Sequence, residues 1–154
     1  MAAPRSPLPL PDLAATRALA QRLAPLLRRG DVIALCGDLG AGKTTFAQFL
    51  LKALGAQGDI TSPTFTLAQV YETPRFPVYH FDWYRLKAPH EVEELGFDEA
   101  LGEGVSVIEW PEKAESYLPR GILSLRFSVE ADGTRRVTME ADEAWAARLL
   151  EGGI

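Results

Sequence analysis

A glycine-rich segment in the first third of the chain carries the residue types that bind phosphate groups. Its residues are Gly37, Asp38, Leu39, Gly40, Ala41, Gly42, Lys43 and Thr44. They fit the pattern G-x-x-x-x-G-K-[ST] at every position. Glycines permit the backbone angles that turn successive N–H groups toward one anion. In such a loop Lys43 contacts the β- and γ-phosphates and the Thr44 hydroxyl binds Mg²⁺. We therefore predict a site for a nucleoside triphosphate with Mg²⁺, extending to Thr45.

The residues on either side of this loop support the same interpretation. Residues 32–35 form an apolar run typical of a buried strand, and residues 44–54 have the periodicity of an amphipathic helix. A strand, a loop and a helix in this order are the arrangement that the motif requires. The positive end of the helix then points at the bound phosphates. A glycine turn that matched the pattern by chance would have no reason to lie between such a strand and such a helix.

Two acidic residues follow apolar runs farther along the chain. Asp82 follows residues 78–81, and Glu109 follows residues 105–108. An acid in this position lies at the carboxyl edge of a sheet, where it can hold the water shell of a metal ion or activate a water molecule. We therefore predict Asp82, Glu109 and Lys43 as catalytic residues, with Thr44, Glu109 and Asp82 around the metal. The strand order is not readable, so either acid could be the nearer one.

Two neighbours of these acids have plainer interpretations. His80 has no second clustered histidine, which favours a hydrogen-bonded core residue over a metal ligand. Trp110 follows Glu109 and either flanks the nucleotide or packs at the strand end. No clear arginine finger is readable, although Arg85 could serve as one. An incomplete site predicts slow hydrolysis until a partner completes it.

The other elements complete a single fold class. We predict helices over residues 12–28, 89–101 (interrupted at Gly96), 111–117 and 142–150, strands over 66–71 and 76–81, and a hairpin over 122–140. This pattern indicates an α/β fold, namely a P-loop NTPase-like single domain with a central mixed parallel and antiparallel sheet flanked by helices. Residues 12–154 form that domain. Residues 1–11 contain four prolines and are predicted to be a flexible N-terminal tail.

Composition excludes several classes of protein. The chain has 154 residues and a net charge of −5, which argues against direct nucleic-acid binding. Its one cysteine, Cys36, permits neither an internal disulfide nor a cysteine-based zinc site. No run of about 18 apolar residues is present, so we expect no membrane span, and the first residues lack the apolar region of a signal peptide. These features predict a cytoplasmic protein.

Four further segments resemble a known family. They are Thr61-Ser62-Pro63-Thr64-Phe65, His80-Phe81-Asp82-Trp83-Tyr84-Arg85-Leu86, Glu94-Leu95-Gly96-Phe97 and Ile108-Glu109-Trp110. In this order and spacing, and together with the phosphate loop, they resemble the TsaE (YjeE) family over about residues 12–145. The phosphate loop alone is shared by many families, whereas the first two of these segments together are far more specific.

The resemblance implies a role for the whole chain. Members of this family are small bacterial ATPases needed for threonylcarbamoyl modification of the adenosine beside the anticodon of tRNAs. They act with TsaB and TsaD, so tRNA is reached only indirectly. The resemblance implies that Lys43 and Thr44 bind phosphate and Mg²⁺, that Asp82 and Glu109 serve activity and Mg²⁺, and that Trp110 lies near the site. It also implies that Thr64 belongs to a mobile loop that responds to the nucleotide.

Two alternatives use the same loop. A small-molecule kinase would also need a pocket for an acceptor, and a non-catalytic binding module would bind nucleotide without needing the two acids. The sequence contains no N/T-K-x-D segment for reading guanine, which favours ATP over GTP.

Overall fold

The chain folds into one mixed sheet with helices on both faces. A computed structural model describes residues 3–61 and 67–154. Over these residues the strands are β1 (Ala3–Pro4), β2 (Leu8–Leu10), β3 (Val32–Cys36), β4 (Ala68–Tyr71), β5 (Val78–Asp82), β6 (Val105–Glu109), β7 (Leu123–Val129) and β8 (Arg135–Ala141). The α-helices are α1 (Leu13–Leu23), α2 (Lys43–Leu54), α3 (Phe97–Glu103) and α4 (Glu143–Glu151). Short 3-10 helices span Ala24–Leu26, Pro89–Glu94 and Pro111–Tyr117. The predicted fold class is confirmed.

The sheet has a parallel centre and antiparallel margins. The strand order is β1-β8-β7-β3-β6-β5-β4, and β2 also pairs with β8. Strands β7, β3, β6 and β5 run parallel to one another, whereas β8 pairs antiparallel with β7 and β4 pairs antiparallel with β5. The carboxyl ends of four parallel strands therefore meet at one edge, where ligands bind in sheets of this kind.

Both faces of the central strands are covered. Every residue of β3, β5 and β6 is buried, as expected for parallel strands between helices. One core includes Phe46 and Leu50 of α2, and the other includes Phe97 of α3. Successive strand residues alternate between the two cores because their side chains point to opposite faces. This packing holds α2 against the sheet directly behind the phosphate loop.

The helix ends follow from local sequence signals. The Asp12 carboxylate accepts a hydrogen bond of 2.8 Å from the Ala15 N–H and begins α1. Helix α1 ends at Leu23, earlier than predicted, because Pro25 lies in a 3-10 turn that follows it. The predicted interruption at Gly96 separates a 3-10 helix from α3. Within the described ranges, no helix has the length and apolar character needed to cross a membrane.

The N-terminal residues differ from the prediction of a flexible tail over residues 1–11. Strands β1 and β2 pair antiparallel with β8, with Ala3 opposite Ala141 and Leu8 opposite Val137. Leu10 is buried in the main core. Proline has no N–H to donate, but an edge strand tolerates it because one side of such a strand needs no partner. The prolines led to the prediction of a tail, whereas these residues form strands at the edge of the sheet.

Candidate nucleotide-binding site

A cavity of about 350 Å³ opens at the edge where the parallel strands end. Three segments form its walls, namely the phosphate loop with the start of α2, the end of β5 with the residues after it, and the end of β6 with the residue after it. The lining residues are Leu39, Gly40, Gly42, Lys43, Thr44, Asp82, Tyr84, Arg85, Glu109 and Trp110. Residues that are far apart in the sequence therefore meet around one space.

The phosphate loop depends on glycine for its shape. Gly37, Gly40 and Gly42 have φ angles of 134°, 80° and 114°, which side chains other than glycine rarely adopt. A Cβ atom on Gly37 would lie 2.4 Å from the carbonyl oxygen of Phe127. Gly37 is therefore required both for its backbone angle and for the close approach of the loop to β7.

Lys43, the first residue of α2, is held by two groups of the protein. Its side chain is buried, and its Nζ donates a hydrogen bond of 2.6 Å to the Gly37 carbonyl. The same atom lies 3.4 Å from the centre of the Trp110 ring. Burial lowers the pKa of Lys43, an effect opposed by the negative charge of Glu109. A phosphate group could replace both contacts with a stronger charge-assisted hydrogen bond.

The two predicted acids are brought together by strand pairing. Strands β5 and β6 are parallel neighbours, and Asp82 is the register partner of Glu109. Glu109 Oε1 accepts a hydrogen bond of 2.7 Å from the Thr44 hydroxyl. Asp82 Oδ1 accepts one of 3.0 Å from the Tyr84 N–H, and burial raises the pKa of Asp82. Of the two acids, Glu109 is therefore the one in direct contact with Thr44.

His80 lies behind this pair and is completely buried. Its Nε2 is 2.8 Å from Glu109 Oε2, so Glu109 contacts His80 with one oxygen and Thr44 with the other. The sequence predicted a hydrogen-bonded core histidine but not its partner. Residues two apart on a strand share one face, so the spacing places His80 on the face of Asp82, but the contact with Glu109 depends on the pairing of β5 with β6.

Two aromatic side chains line the mouth of the cavity. Trp110 has φ 59° and ψ 50°, which lie in the left-handed region. Its ring centre is 4.8 Å from that of Tyr84, which is 47% exposed. Trp110 lines the cavity beside Lys43, and its contact with a nucleotide stays a prediction. Tyr84 was missed, although it lies in one of the two segments that together give the resemblance to the TsaE family its specificity.

The remaining predicted residues divide into three groups. Asp38 and Ala41 lie on the other side of the phosphate loop, in a second cavity of about 460 Å³ lined by the end of β7. Thr45 is the third residue of α2 and is half-buried. Thr64 lies outside the described residues. Cys36 is buried, and this burial raises its pKa to about 11, as suits an inert core thiol.

The residues present suit a magnesium ion that is shared with a nucleotide. Thr44, Asp82 and Glu109 offer the hard oxygen ligands that Mg²⁺ prefers. In the described part of the chain, no three His, Cys, Asp or Glu side chains form a ready metal cluster. Mg²⁺ commonly binds through one or two protein oxygens, with phosphate oxygens and water filling the remaining positions. The site fits that mode of binding.

Comparison with known proteins identifies the family. The family profile described as "Threonylcarbamoyl adenosine biosynthesis protein TsaE" matches residues 10–137. The chain belongs to the TsaE family. The resemblance predicted from the sequence is thus confirmed, and the family's role lies in tRNA threonylcarbamoyladenosine biosynthesis.

Individual TsaE proteins match most of the chain. The tRNA threonylcarbamoyladenosine biosynthesis protein TsaE of Rickettsia prowazekii is 42% identical over 123 residues, which cover 79% of this chain and 85% of the relative. TsaE of Streptomyces coelicolor is 42% identical over 138 residues, which cover 84% and 93%. The crystal structure of Bacillus subtilis YdiB superposes with a TM-score of 0.79 at 34% identity, covering 98% of this chain and 94% of YdiB.

Proposed function

We propose that this protein binds ATP with Mg²⁺ in the 350 Å³ cavity and hydrolyses it to support threonylcarbamoyl modification of tRNA by TsaB and TsaD. The observation that carries the proposal is the contact between Glu109 and Thr44. It places a buried carboxylate against the hydroxyl that the phosphate-loop pattern assigns to Mg²⁺. The family's role in tRNA threonylcarbamoyladenosine biosynthesis supplies the biological setting.

In this proposal the phosphates are bound by the loop and by Lys43. The N–H groups of the loop and of the first turn of α2 point toward the anion, and the helix dipole adds to this attraction. The Lys43 ammonium exchanges the Gly37 carbonyl for phosphate oxygens. Thr44 would hold Mg²⁺, which when bound neutralises charge on the β- and γ-phosphates.

The two acids have separate tasks in the proposal. Glu109 accepts the hydrogen bond of the Thr44 hydroxyl and so orients its oxygen. Asp82 ends the neighbouring strand and lines the same cavity, where it can hold a water molecule near the transferred phosphate. Hydrolysis then depends on positioning and on charge, which are the main contributions of protein groups to phosphoryl transfer.

Partners enter the proposal through the charge that develops on the transferred phosphate. Lys43 is the phosphate-loop cation, and Arg85 also lines the cavity. An arginine supplied by a partner, or ordering of a loop on complex formation, would accelerate hydrolysis. We therefore expect slow hydrolysis by the isolated chain and faster hydrolysis with TsaB and TsaD present.

The test measures ATP hydrolysis by the purified chain alone, with tRNA, and with TsaB and TsaD from the same source. The two proteins should raise the rate, and tRNA alone should have little effect because the chain carries a net charge of −5. The chain should also restore repeated rounds of tRNA modification to a mixture that lacks it. Full activity alone, with indifference to both proteins and no effect on modification, would contradict the proposal. A phosphorylated metabolite as product would instead indicate a kinase.

A further inference from the structure

We infer that His80 is a positioning residue, which fixes the Glu109 carboxylate against Thr44 and thereby sets the affinity of the nucleotide complex for Mg²⁺. The inference rests on the proposed function, because it concerns the same site. It adds a residue that contacts neither phosphate nor metal in that proposal and acts only through Glu109.

The geometry is a chain of two hydrogen bonds that meet on one carboxylate. His80 Nε2 lies 2.8 Å from Glu109 Oε2, and the Thr44 hydroxyl lies 2.7 Å from Glu109 Oε1. The three residues come from β5, β6 and α2. His80 is completely buried and Glu109 is 2% exposed, so water competes little for either contact. A carboxylate held at both oxygens cannot rotate about its terminal bond without losing one of them.

The direction of the hydrogen bond follows from the donors available. An ionised carboxylate only accepts hydrogen bonds, so the proton between the two groups belongs to His80 Nε2. His80 Nδ1 has no hydrogen-bond partner within residues 3–61 and 67–154. Buried N–H groups without a partner are rarer in proteins than buried acceptors without one. The tautomer with its proton on Nε2 therefore suits this position best.

This arrangement controls where the Thr44 oxygen directs its lone pairs. Because the Thr44 hydroxyl donates its proton to Glu109, its lone pairs remain available on the cavity side for a cation. Groups that orient a metal ligand typically change metal affinity by about 10- to 100-fold when they are removed. Loss of the His80 donor should therefore weaken Mg²⁺ binding without removing any phosphate contact.

The experiment titrates Mg²⁺ against the protein with a fixed concentration of a non-hydrolysable ATP analogue and follows binding by calorimetry. His80→Phe keeps a ring in the core but removes the donor, and should raise the half-saturating Mg²⁺ concentration about tenfold or more. His80→Gln places an amide N–H near the position of Nε2 and should stay within about threefold of wild type. Without Mg²⁺, analogue affinity should be equal in all three proteins.

Val78→Ala is the matched control, because Val78 is buried on the same strand and its side chain packs in the main core. It should lower stability and leave the Mg²⁺ midpoint unchanged.

If His80→Phe does not fold, His80→Asn serves instead, since its shorter amide cannot reach Glu109. If His80→Phe, or His80→Asn in its place, has the same Mg²⁺ midpoint as wild type, the inference is overturned. It is also overturned if Val78→Ala shifts the Mg²⁺ midpoint as much as the His80 variant does. Failure of the wild-type chain to bind the analogue contradicts the proposed function instead.

A second readout needs no metal. Long-range ¹H–¹⁵N correlation of the imidazole rings in the free protein should show His80 protonated at Nε2, and Glu109→Gln should shift that signal. The exposed His90 provides an internal reference whose signal should not change. An unprotonated Nε2 in the wild-type protein would overturn the inference.

Discussion

At the scale of single residues, Lys43 is the group whose removal should matter most for binding. Lys43→Ala removes a buried ammonium that would otherwise bind the β- and γ-phosphates. A charge-assisted hydrogen bond is worth about 1.5–3 kcal/mol, which corresponds to roughly a 10- to 150-fold loss of ATP affinity. Calorimetry measures the affinity, and circular dichroism checks that the variant is folded. Lys113→Ala, which removes an exposed lysine near Tyr84, should bind ATP like wild type. Equal affinities in the two folded variants would refute the assignment.

The acids should affect hydrolysis more than binding. Glu109→Ala and Asp82→Ala should each lower the rate of ATP hydrolysis at least about tenfold in the presence of TsaB and TsaD, because each removes a positioned charge. ATP affinity should fall less than in Lys43→Ala, since loss of an acid also relieves repulsion with the phosphates. Steady-state rates of the variants, compared with binding curves, test this. A wild-type rate in either variant would exclude a catalytic role for that acid.

The sequence predicted the chemical groups of the site better than their contacts. Lys43 and Thr44 were identifiable because their motif is continuous in the chain. Asp82 and Glu109 were identifiable because each ends an apolar run. Their adjacency depends on the pairing of β5 with β6, and this non-local contact has no local sequence signal. For the same reason the link from His80 to Glu109 could not be read from the residues alone.

At the scale of elements, the junction between β3 and the phosphate loop should tolerate no side chain. Gly37→Ala places a Cβ atom 2.4 Å from the Phe127 carbonyl oxygen at a φ of 134°. The backbone angle costs about 1–2 kcal/mol and the overlap about 1–3 kcal/mol, so the free energy of unfolding should fall by roughly 2–5 kcal/mol. Urea denaturation measures the loss.

Gly40→Ala is the matched control for this prediction. Gly40 has a φ of 80°, but nothing lies within 4 Å of a Cβ atom placed there. Its variant should carry only the cost of the backbone angle, about 1–2 kcal/mol. If the two variants unfold at the same urea concentration, the contact with Phe127 does not limit the loop.

Local sequence signals predicted helices and strands well where the intrinsic preferences of the residues agreed with their packing. The predicted helix starts at residues 12 and 142, where Asp12 and Asp142 cap the helices, agree with the structure, as do the break at Gly96 and the strand before the phosphate loop. Helix α1 was predicted too long because its apolar spacing continues past Leu23, whereas Pro25 changes the backbone to a 3-10 turn. The backbone constraint of proline, and not the apolar spacing, therefore determines where this helix ends.

At the scale of the whole molecule, the N-terminal strands close one edge of the sheet. Deleting residues 1–10 should expose the outer side of β8 and remove the buried Leu10. Burial of a leucine side chain is worth about 1.5–3 kcal/mol, so the melting temperature should fall. An unpaired strand edge also promotes association. Calorimetry and light scattering test the two effects, and ATP affinity should persist because the site lies at the ends of other strands.

Two single substitutions separate packing from edge protection. Leu10→Ala should lower stability by about 2–3 kcal/mol without promoting association, because the strands remain. Leu13→Ala, at a leucine that is 58% exposed, should change stability by less than about 0.5 kcal/mol. A truncated protein as stable and as monomeric as the full chain would show that β1 and β2 add nothing to the fold.

The contact between Lys43 and Trp110 gives the protein a built-in optical reporter. Of its three tryptophans, Trp83 and Trp145 are buried in the cores, whereas Trp110 lines the cavity with an ammonium 3.4 Å from its ring centre. A cation over an indole face interacts strongly with its π electrons. When a phosphate draws Lys43 away, the electric field across that indole changes, and with it the emission of Trp110. The occupancy of the nucleotide site should therefore be visible in the intrinsic fluorescence of the unlabelled chain.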